Sequence, residues 1–415
     1  MNTTFVEWAF GNDLDFIWAF AGVAAVWALG ITVWVSLVGL VSIWLERKIS
    51  AHIQCRLGPM EVGPHGALQT LADGVKLLAK EDIVPDGADR FLFGLAPILA
   101  FVGSFAVFAV VPFGPDLIVA DLNLGIYFLA AIGSIEAIGV IAAGWASNNK
   151  WSIFGAVRAA TQVVSYEIPL SLSLVTVAAL AGSLSMMDIV HAQGGWMWNW
   201  FLFRNPFMVI SFIIFYIASL AECKRAPFDL PEAESELVSG FHTEYSGMRF
   251  AIFFLAEYAA MYVVSAVAAV LFFGGWYTGF GGFDKWLAEA SPFWANLLGA
   301  GVIISKAFLL ICVQMWLRWT LPRIRLDQMM YLCLKVLVPI GMVVFMLAAL
   351  WQGLFPVEVL GDWSVGSKFG LFWFIVVIAG TIRWVRSTIQ GTKSFQNQSY
   401  LEQPGRLGHD VGVGA

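Results

Sequence analysis

The chain has 415 residues, 59% hydrophobic and only 13% charged, whereas a soluble globular protein carries roughly 25% charged residues. An ordinary soluble fold is excluded. The 23 basic and 29 acidic side chains leave a formal net charge of −6, so there is no basic footprint for nucleic acid. Mean hydropathy is +0.78, and the apolar residues gather in runs of about twenty, enough to cross roughly 30 Å of hydrocarbon.

Glu7, Asp13 and Asp15 lie where a cleaved signal peptide would carry basic residues, so the first run, 16–45, is expected to stay as a helix. It ends in Glu46-Arg47-Lys48, with Arg56-Leu57-Gly58-Pro59 following. Within 64–80, Leu68, Leu71, Val75 and Leu78 recur at helical spacing, which predicts an amphipathic helix lying at the membrane interface. Further spans are predicted at 91–111, 123–146, 160–182 and 206–222. Trp196, Trp198 and Trp200 fit an aromatic belt before the last of these. An acidic loop, 222–249, then carries Glu222, Asp229, Glu232, Glu234, Glu236 and Glu244. The remaining runs are 250–273, 296–317, 336–352 and 369–386, with a polar tail from 390. The expected fold is an all-α, polytopic helical membrane protein of nine transmembrane helices, forming one transmembrane domain over 1–389.

Alternation of basic residues tests that count. Nineteen Lys and Arg fall after the first, third, fifth and seventh runs and in the tail, against Arg204, Lys285 and Lys368 on the other side. By the positive-inside rule the N-terminus lies outside and the C-terminus inside.

Ionisable groups near the bilayer centre cost about 2.5–3.5 kcal/mol on insertion scales and mark function. At about 1.5 Å per residue, Glu257 lies roughly 10 Å into its run, Glu167 roughly 13 Å, and Glu136 and Lys306 roughly 16–18 Å. With the acidic loop at its mouth, this ladder predicts a polar path to about mid-membrane, able to pass protons along carboxylates and water. The structural alternative is a set of buried ion pairs in which Lys306 neutralises one glutamate, although one lysine cannot pair three carboxylates. The basic hinge around Arg47 and Arg56, next to an interfacial helix, suggests a doorway through which an apolar ligand with a polar head enters from the bilayer; arginines that merely snorkel at a helix end are the simpler reading.

Cys55, Cys223, Cys312 and Cys333 show no metal-ligand spacing, all five histidines lie outside the apolar runs, and no GxGxxG follows a strand. No metal, flavin, haem or iron-sulfur cluster is expected in this chain, so any electrons come from a partner.

At these residues the sequence resembles the quinone-site membrane subunit of respiratory complex I, the proton-translocating NADH:quinone oxidoreductase. GALQTLADGVKLLAKE (66–81) and PFDLPEAESELVSG (227–240) carry the resemblance, with ERK (46–48) before them and GWASNNKW (144–151), SYE (165–167), AEY (256–258) and LPRIRLDQMM (321–330) in order between and after them. It implies a subunit without redox centres in an energy-transducing membrane, most simply a bacterial inner membrane. Its inner face would dock on hydrophilic-arm subunits that carry the terminal cluster and roof a quinone chamber, with small membrane subunits and antiporter-like pumps alongside. It also implies ubiquinone, or another quinone, as substrate.

By the same resemblance Glu167, Glu222, Asp229, Glu234, Glu236 and Glu257 match an acidic path; Glu232 joins it as a member of the acidic loop and Lys306 by depth. Glu46, Arg47, Arg56, Asp73, Lys76, Arg225 and Phe228 fall at the quinone entrance. Met60, His65 and Glu136 depart from the family pattern, and Glu136 joins the path on depth alone. The ninth run and the tail extend beyond the family's eight-helix core. A related membrane-bound hydrogenase or ferredoxin-linked complex is the alternative, though the complete 46–81 segment favours quinone. A stand-alone transporter would usually show an internal repeat, and none is visible.

Overall fold

The computed structural model describes residues 16–231, 234–289, 291–354 and 383. Helix α1 spans Phe16–Ile53, the short α2 Gln69–Ala79, α3 Arg90–Val107, α4 Gly125–Ala146, α5 Lys150–Ala181, α6 Pro206–Glu222, α7 Gly247–Phe272, α8 Pro292–Thr320 and α9 Leu326–Leu354. Seven of them, α1, α3, α4, α5, α7, α8 and α9, are long and apolar enough to cross a membrane. Helix α6 is a shorter apolar helix of 17 residues. The chain is a polytopic helical membrane protein. The expected run at 369–386 apart from 383, the tail, Lys368, Glu232 and the N-terminal acids lie outside the described residues.

Local chemistry sets the helix ends. Asp89 accepts from the amides of Phe91 and Leu92, and Asn149 from that of Trp151. Asn205 accepts from Phe207 N with Pro206 in the first turn, while Gly182 closes α5 at φ 72°. Several helices run beyond their apolar stretches: α1 continues from 45 to Ile53, and α5 begins at Lys150 rather than 160. The expected amphipathic segment splits into a 3-10 turn at Pro64–Gly66 and the helix α2.

Long-range bonds sort the connections into two ends. At the basic end, Asp89 N donates to Ala146 O, Ser152 Oγ to Phe241 O and Ile324 N to Pro227 O, while Arg249 pairs with Asp82 at 3.0 Å. At the opposite end, Ile126 N donates to Leu184 O, Met197 N to Gly279 O and Asp116 N to Asn296 Oδ1. Among the described residues, the alternation of the basic residues follows this division.

Helix α7 is the central element, with the stretch from Val267 to Phe272 completely enclosed. Between lipid-embedded helices apolar burial gives little drive, so close approach at small residues matters more. At Gly103 on α3, a Cβ would stand 2.9 Å from the Glu136 amide nitrogen of α4. That approach fixes the height at which Glu136 enters the interior.

Candidate functional site

An ion cluster lies at the basic end, assembled from α1, α7, α8 and the loop after α6. Gln162 of α5 shapes this loop by donating to Ala221 O and Phe228 O, both at 2.8 Å. Phe228 is buried against Tyr166 with ring centroids 5.3 Å apart, so it anchors the loop in the core and does not line the cleft. The anchored loop presents Arg225, whose Nη1 donates to both Glu46 oxygens at 3.1 and 3.0 Å and whose Nε lies 2.7 Å from Glu257 Oε1. Its guanidinium also covers the Tyr258 ring at 4.4 Å, and Tyr258 donates its hydroxyl to Glu46 at 2.6 Å. Arg318 makes a further ion pair with Glu46.

This cluster floors a cleft of about 290 Å³, lined by Ile43, Glu46, Arg47, Ser50, Arg56, Arg225, Phe254, Glu257, Tyr258, Arg318 and Trp319. Arg47 ties its rim to α2 through Asp73 at 2.6 Å, with Lys76 a further 3.8 Å from Asp73. Burial alone would raise the Asp73 carboxyl, but the hydrogen bond and charge of Arg47 outweigh it and hold the group below its ordinary value. Arg56 turns to Gln54 at 2.7 Å on the rim.

Two small separate cavities lie beyond the cleft, the first sharing Glu257 with it and the second sharing Glu136 with the first. One of about 10 Å³ is lined by Glu136, Lys224, His242 and Glu257 among others. The next, of about 40 Å³, is lined by Ser104, Glu136 and Glu222 with apolar neighbours; a cavity needs roughly 10–15 Å³ to admit one water. Lys224 Nζ is 2.9 Å from Glu136 Oε1, and Ser104 Oγ donates to the other oxygen at 3.4 Å. Gly133, one turn before Glu136, leaves room for Glu222: a Cβ there would sit 3.4 Å from Glu222 Oε1. Burial and the charge of Lys224 push the His242 imidazole down to about 3, so it is neutral at physiological pH.

The other expected site residues are placed differently. Glu167 faces an open apolar groove between α5 and α9 with Ile168, Leu172 and Phe345, while still interacting electrostatically with Glu222. Asp229 lies 3.4 Å from Arg323; burial raises its carboxyl despite the opposing charges of Arg323, Arg318 and Arg225. Glu236 pairs with Arg158 at 2.6 Å on the surface, and that hydrogen bond and charge lower its carboxyl. Glu234 begins the short helix Glu234–Leu237, and its side chain lies outside the described residues.

Lys306 is not brought to the glutamates. Its ammonium donates to Phe273 O, Gly275 O and Tyr277 O at 2.6, 2.9 and 2.6 Å, at the opposite end of α7, and sits 4.4 Å above the Trp200 ring. Sequence reasoning missed Tyr258, Arg318 and Lys224 as site members. Tyr258 was within reach, adjoining Glu257 in the AEY block, whereas Arg318 and Lys224 read only as loop-side bases.

A helical membrane bundle with a buried ion cluster opening onto a cleft at its basic end is the class of protein these features define. Residues 26–349 match the NADH dehydrogenase family. The chain is 57% identical over 312 residues to the H subunit of NADH-quinone oxidoreductase from Chlorobaculum parvum, covering 74% of this chain and 86% of that one. The protein of the same name from Chlorobaculum tepidum is 57% identical over 311 residues, with the same shares covered. That of Anaeromyxobacter dehalogenans is 44% identical over 350 residues, covering 81% and 85%. The chain belongs to the NADH dehydrogenase family, as an H subunit of NADH-quinone oxidoreductase.

Proposed function

We propose that this chain forms the membrane entrance and part of the binding chamber for a quinone, and couples its reduction to proton translocation through buried carboxylates. The observation that carries the reading is the shared wall. Glu257 lines the cleft with Glu46, Arg225 and Arg318 and also lines the first of the inner cavities.

The cleft offers apolar contact from Ile43, Phe254 and Trp319 for an isoprenoid tail, and cationic groups at Arg47, Arg56 and Arg318 for a polar head. Reducing a quinone to a quinol takes two electrons and two protons; the electrons come from hydrophilic-arm subunits docked at the basic end. This chain's part is electrostatic. In a low-dielectric interior, charge change or proton uptake at the cleft alters its neighbours strongly, and Glu46, Glu257, Glu136 and Glu222 form the row that receives the change. Asp229, Glu234 and Glu236 belong to the loop facing the hydrophilic arm, and Glu167 faces the side where small membrane subunits and antiporter-like pumps would pack. The orientation is N-terminus outside and C-terminus inside, in a bacterial inner membrane.

Photoreactive ubiquinone, applied to native membranes holding the assembled complex, tests the entrance. The expected label falls on peptides containing 43–56, 254–258 or 318–319, and excess ubiquinone suppresses it. Labelling confined to other regions would refute the entrance.

A further inference from the structure

The fold carries Lys306 away from the ion cluster, to the turn that closes α7 at the opposite end of the bundle, where the carboxylate row makes no use of it. The carbonyl oxygens of Phe273, Gly275 and Tyr277 accept hydrogen bonds from its Nζ at 2.6, 2.9 and 2.6 Å. An ammonium has three N–H groups to donate and a neutral amine only two, so three acceptors fix the charged form. These acceptors are uncharged dipoles, and the Trp200 ring 4.4 Å away is another uncharged partner. Negative charge comes from Asp284, which interacts electrostatically with Lys306 while its carboxylate accepts from Thr278 N, Thr278 Oγ1 and Gly279 N at 2.9, 2.6 and 3.2 Å.

Closing a helix does not by itself call for a charge. At the same end of α7, Gln193 donates its amide to Val270 O at 2.9 Å and accepts from Gly274 N at 3.1 Å, so a neutral side chain serves the adjoining groups. An ammonium at membrane depth is costly and marks function.

The space between Lys306 and the glutamates is apolar. Val267 lines the cavity that holds Glu136 and Glu222, and from Val267 to Phe272 α7 is buried throughout, a rise of about 9 Å to the turn. Phe272 meets Phe212 and Phe215 with ring centroids 5.3 and 5.6 Å apart, and Phe273 meets Phe212 and Trp200 at 5.2 and 6.1 Å. Hydrophobic constrictions shed water, and fixed positive charge repels protons and other cations. Here the two stand in series.

We propose that Lys306 and this aromatic layer seal the end of the bundle opposite the ion cluster against protons. The layer denies water a continuous file, and the ammonium repels a hydronium ion that enters it. The carboxylate row then communicates with the basic end and not with the opposite surface. The seal does not depend on the coupling role proposed above, because it acts at rest.

The test uses the assembled complex in liposomes without NADH, under a potassium diffusion potential, with proton entry followed by an enclosed pH dye and chloride entry by an enclosed halide-quenched dye. Lys306→Gln keeps two donors and removes the charge. It is expected to raise proton leak by about tenfold or more, the scale of one unit charge acting over about 9 Å at an effective dielectric of about 20, with chloride leak unchanged. Lys306→Arg, which keeps the charge, is expected to leak as wild type does. A wild-type proton leak in Lys306→Gln would overturn the seal. Proton and chloride leak rising together there would mean loosened packing, and an equal proton leak in Lys306→Arg would mean that charge is not the barrier; either overturns the role of Lys306. If Lys306→Gln does not assemble on native gels, Val267→Thr places a hydroxyl in the apolar layer at nearly unchanged shape with the ammonium intact. Its proton leak is expected to match wild type, and a rise would show that the layer seals without the charge and overturn the role of Lys306.

Discussion

Arg225 reaches Glu46 across 179 positions of sequence, one Nη1 facing both carboxylate oxygens at 3.1 and 3.0 Å. The contact joins the loop after α6 to the basic end of α1, and Arg225 has only 5% of its side chain exposed. Its removal deprives Glu257 of the guanidinium 2.7 Å away and leaves Glu46 with its Arg318 pair. Breaking one partner of a buried pair costs about 3–5 kcal/mol, so Arg225→Met should lower the melting temperature of the purified complex and reduce its yield. Arg225→Lys should not restore it, because an ammonium cannot face Glu46 and Glu257 in the same fork. Unchanged melting in Arg225→Met would contradict this role.

Acid should loosen the basic end through His242. The imidazole is neutral in the fold, held at about 3 against an ordinary 6.5. The unfolded chain takes up a proton first as pH falls, so stability declines from about pH 6.5 down to about 3 and is flat above. His242→Gln removes that group. Its melting temperature should fall less steeply than wild type across the same window when the detergent-solubilised protein is heated at a series of pH values. Parallel slopes would show that His242 is not the source.

Lys306 satisfies three carbonyls at the end of α7 opposite the ion cluster. Leaving buried acceptors unmatched costs about 1–3 kcal/mol each. Lys306→Met should therefore destabilise the turn at 273–277, read as faster exchange of its amide hydrogens with solvent. Unchanged exchange there would contradict the capping role.

The transmembrane runs were legible because the cost of a polar group in hydrocarbon writes itself into contiguous sequence. Helix ends outside the apolar layer were not: α1 passes through Glu46-Arg47-Lys48 to Ile53 and α5 starts at Lys150, on polar residues that a hydropathy scan assigns to loops. Glu136 and Glu257 were found by depth, a property of single positions. Their partners depend on tertiary contact, since Arg318 meets Glu46 from 272 residues away and Lys224 meets Glu136 from 88. Lys306 shows the limit most clearly. Charge suggested a carboxylate partner, whereas the actual acceptors are backbone carbonyls at a helix end, which every residue carries and no side-chain pattern reveals.

The coupling role of the buried row is tested most directly by Glu257→Gln, which removes a proton-carrying group while nearly preserving shape and hydrogen-bonding capacity. The measurement is proton translocation per NADH oxidised in sealed vesicles containing the assembled complex, with quinone reduction followed in parallel. Translocation is predicted to fall by about tenfold or more, the lower range for loss of an acid–base group being about a hundredfold in rate, with assembly retained on native gels. Wild-type translocation and wild-type quinone reduction in Glu257→Gln would contradict the coupling role.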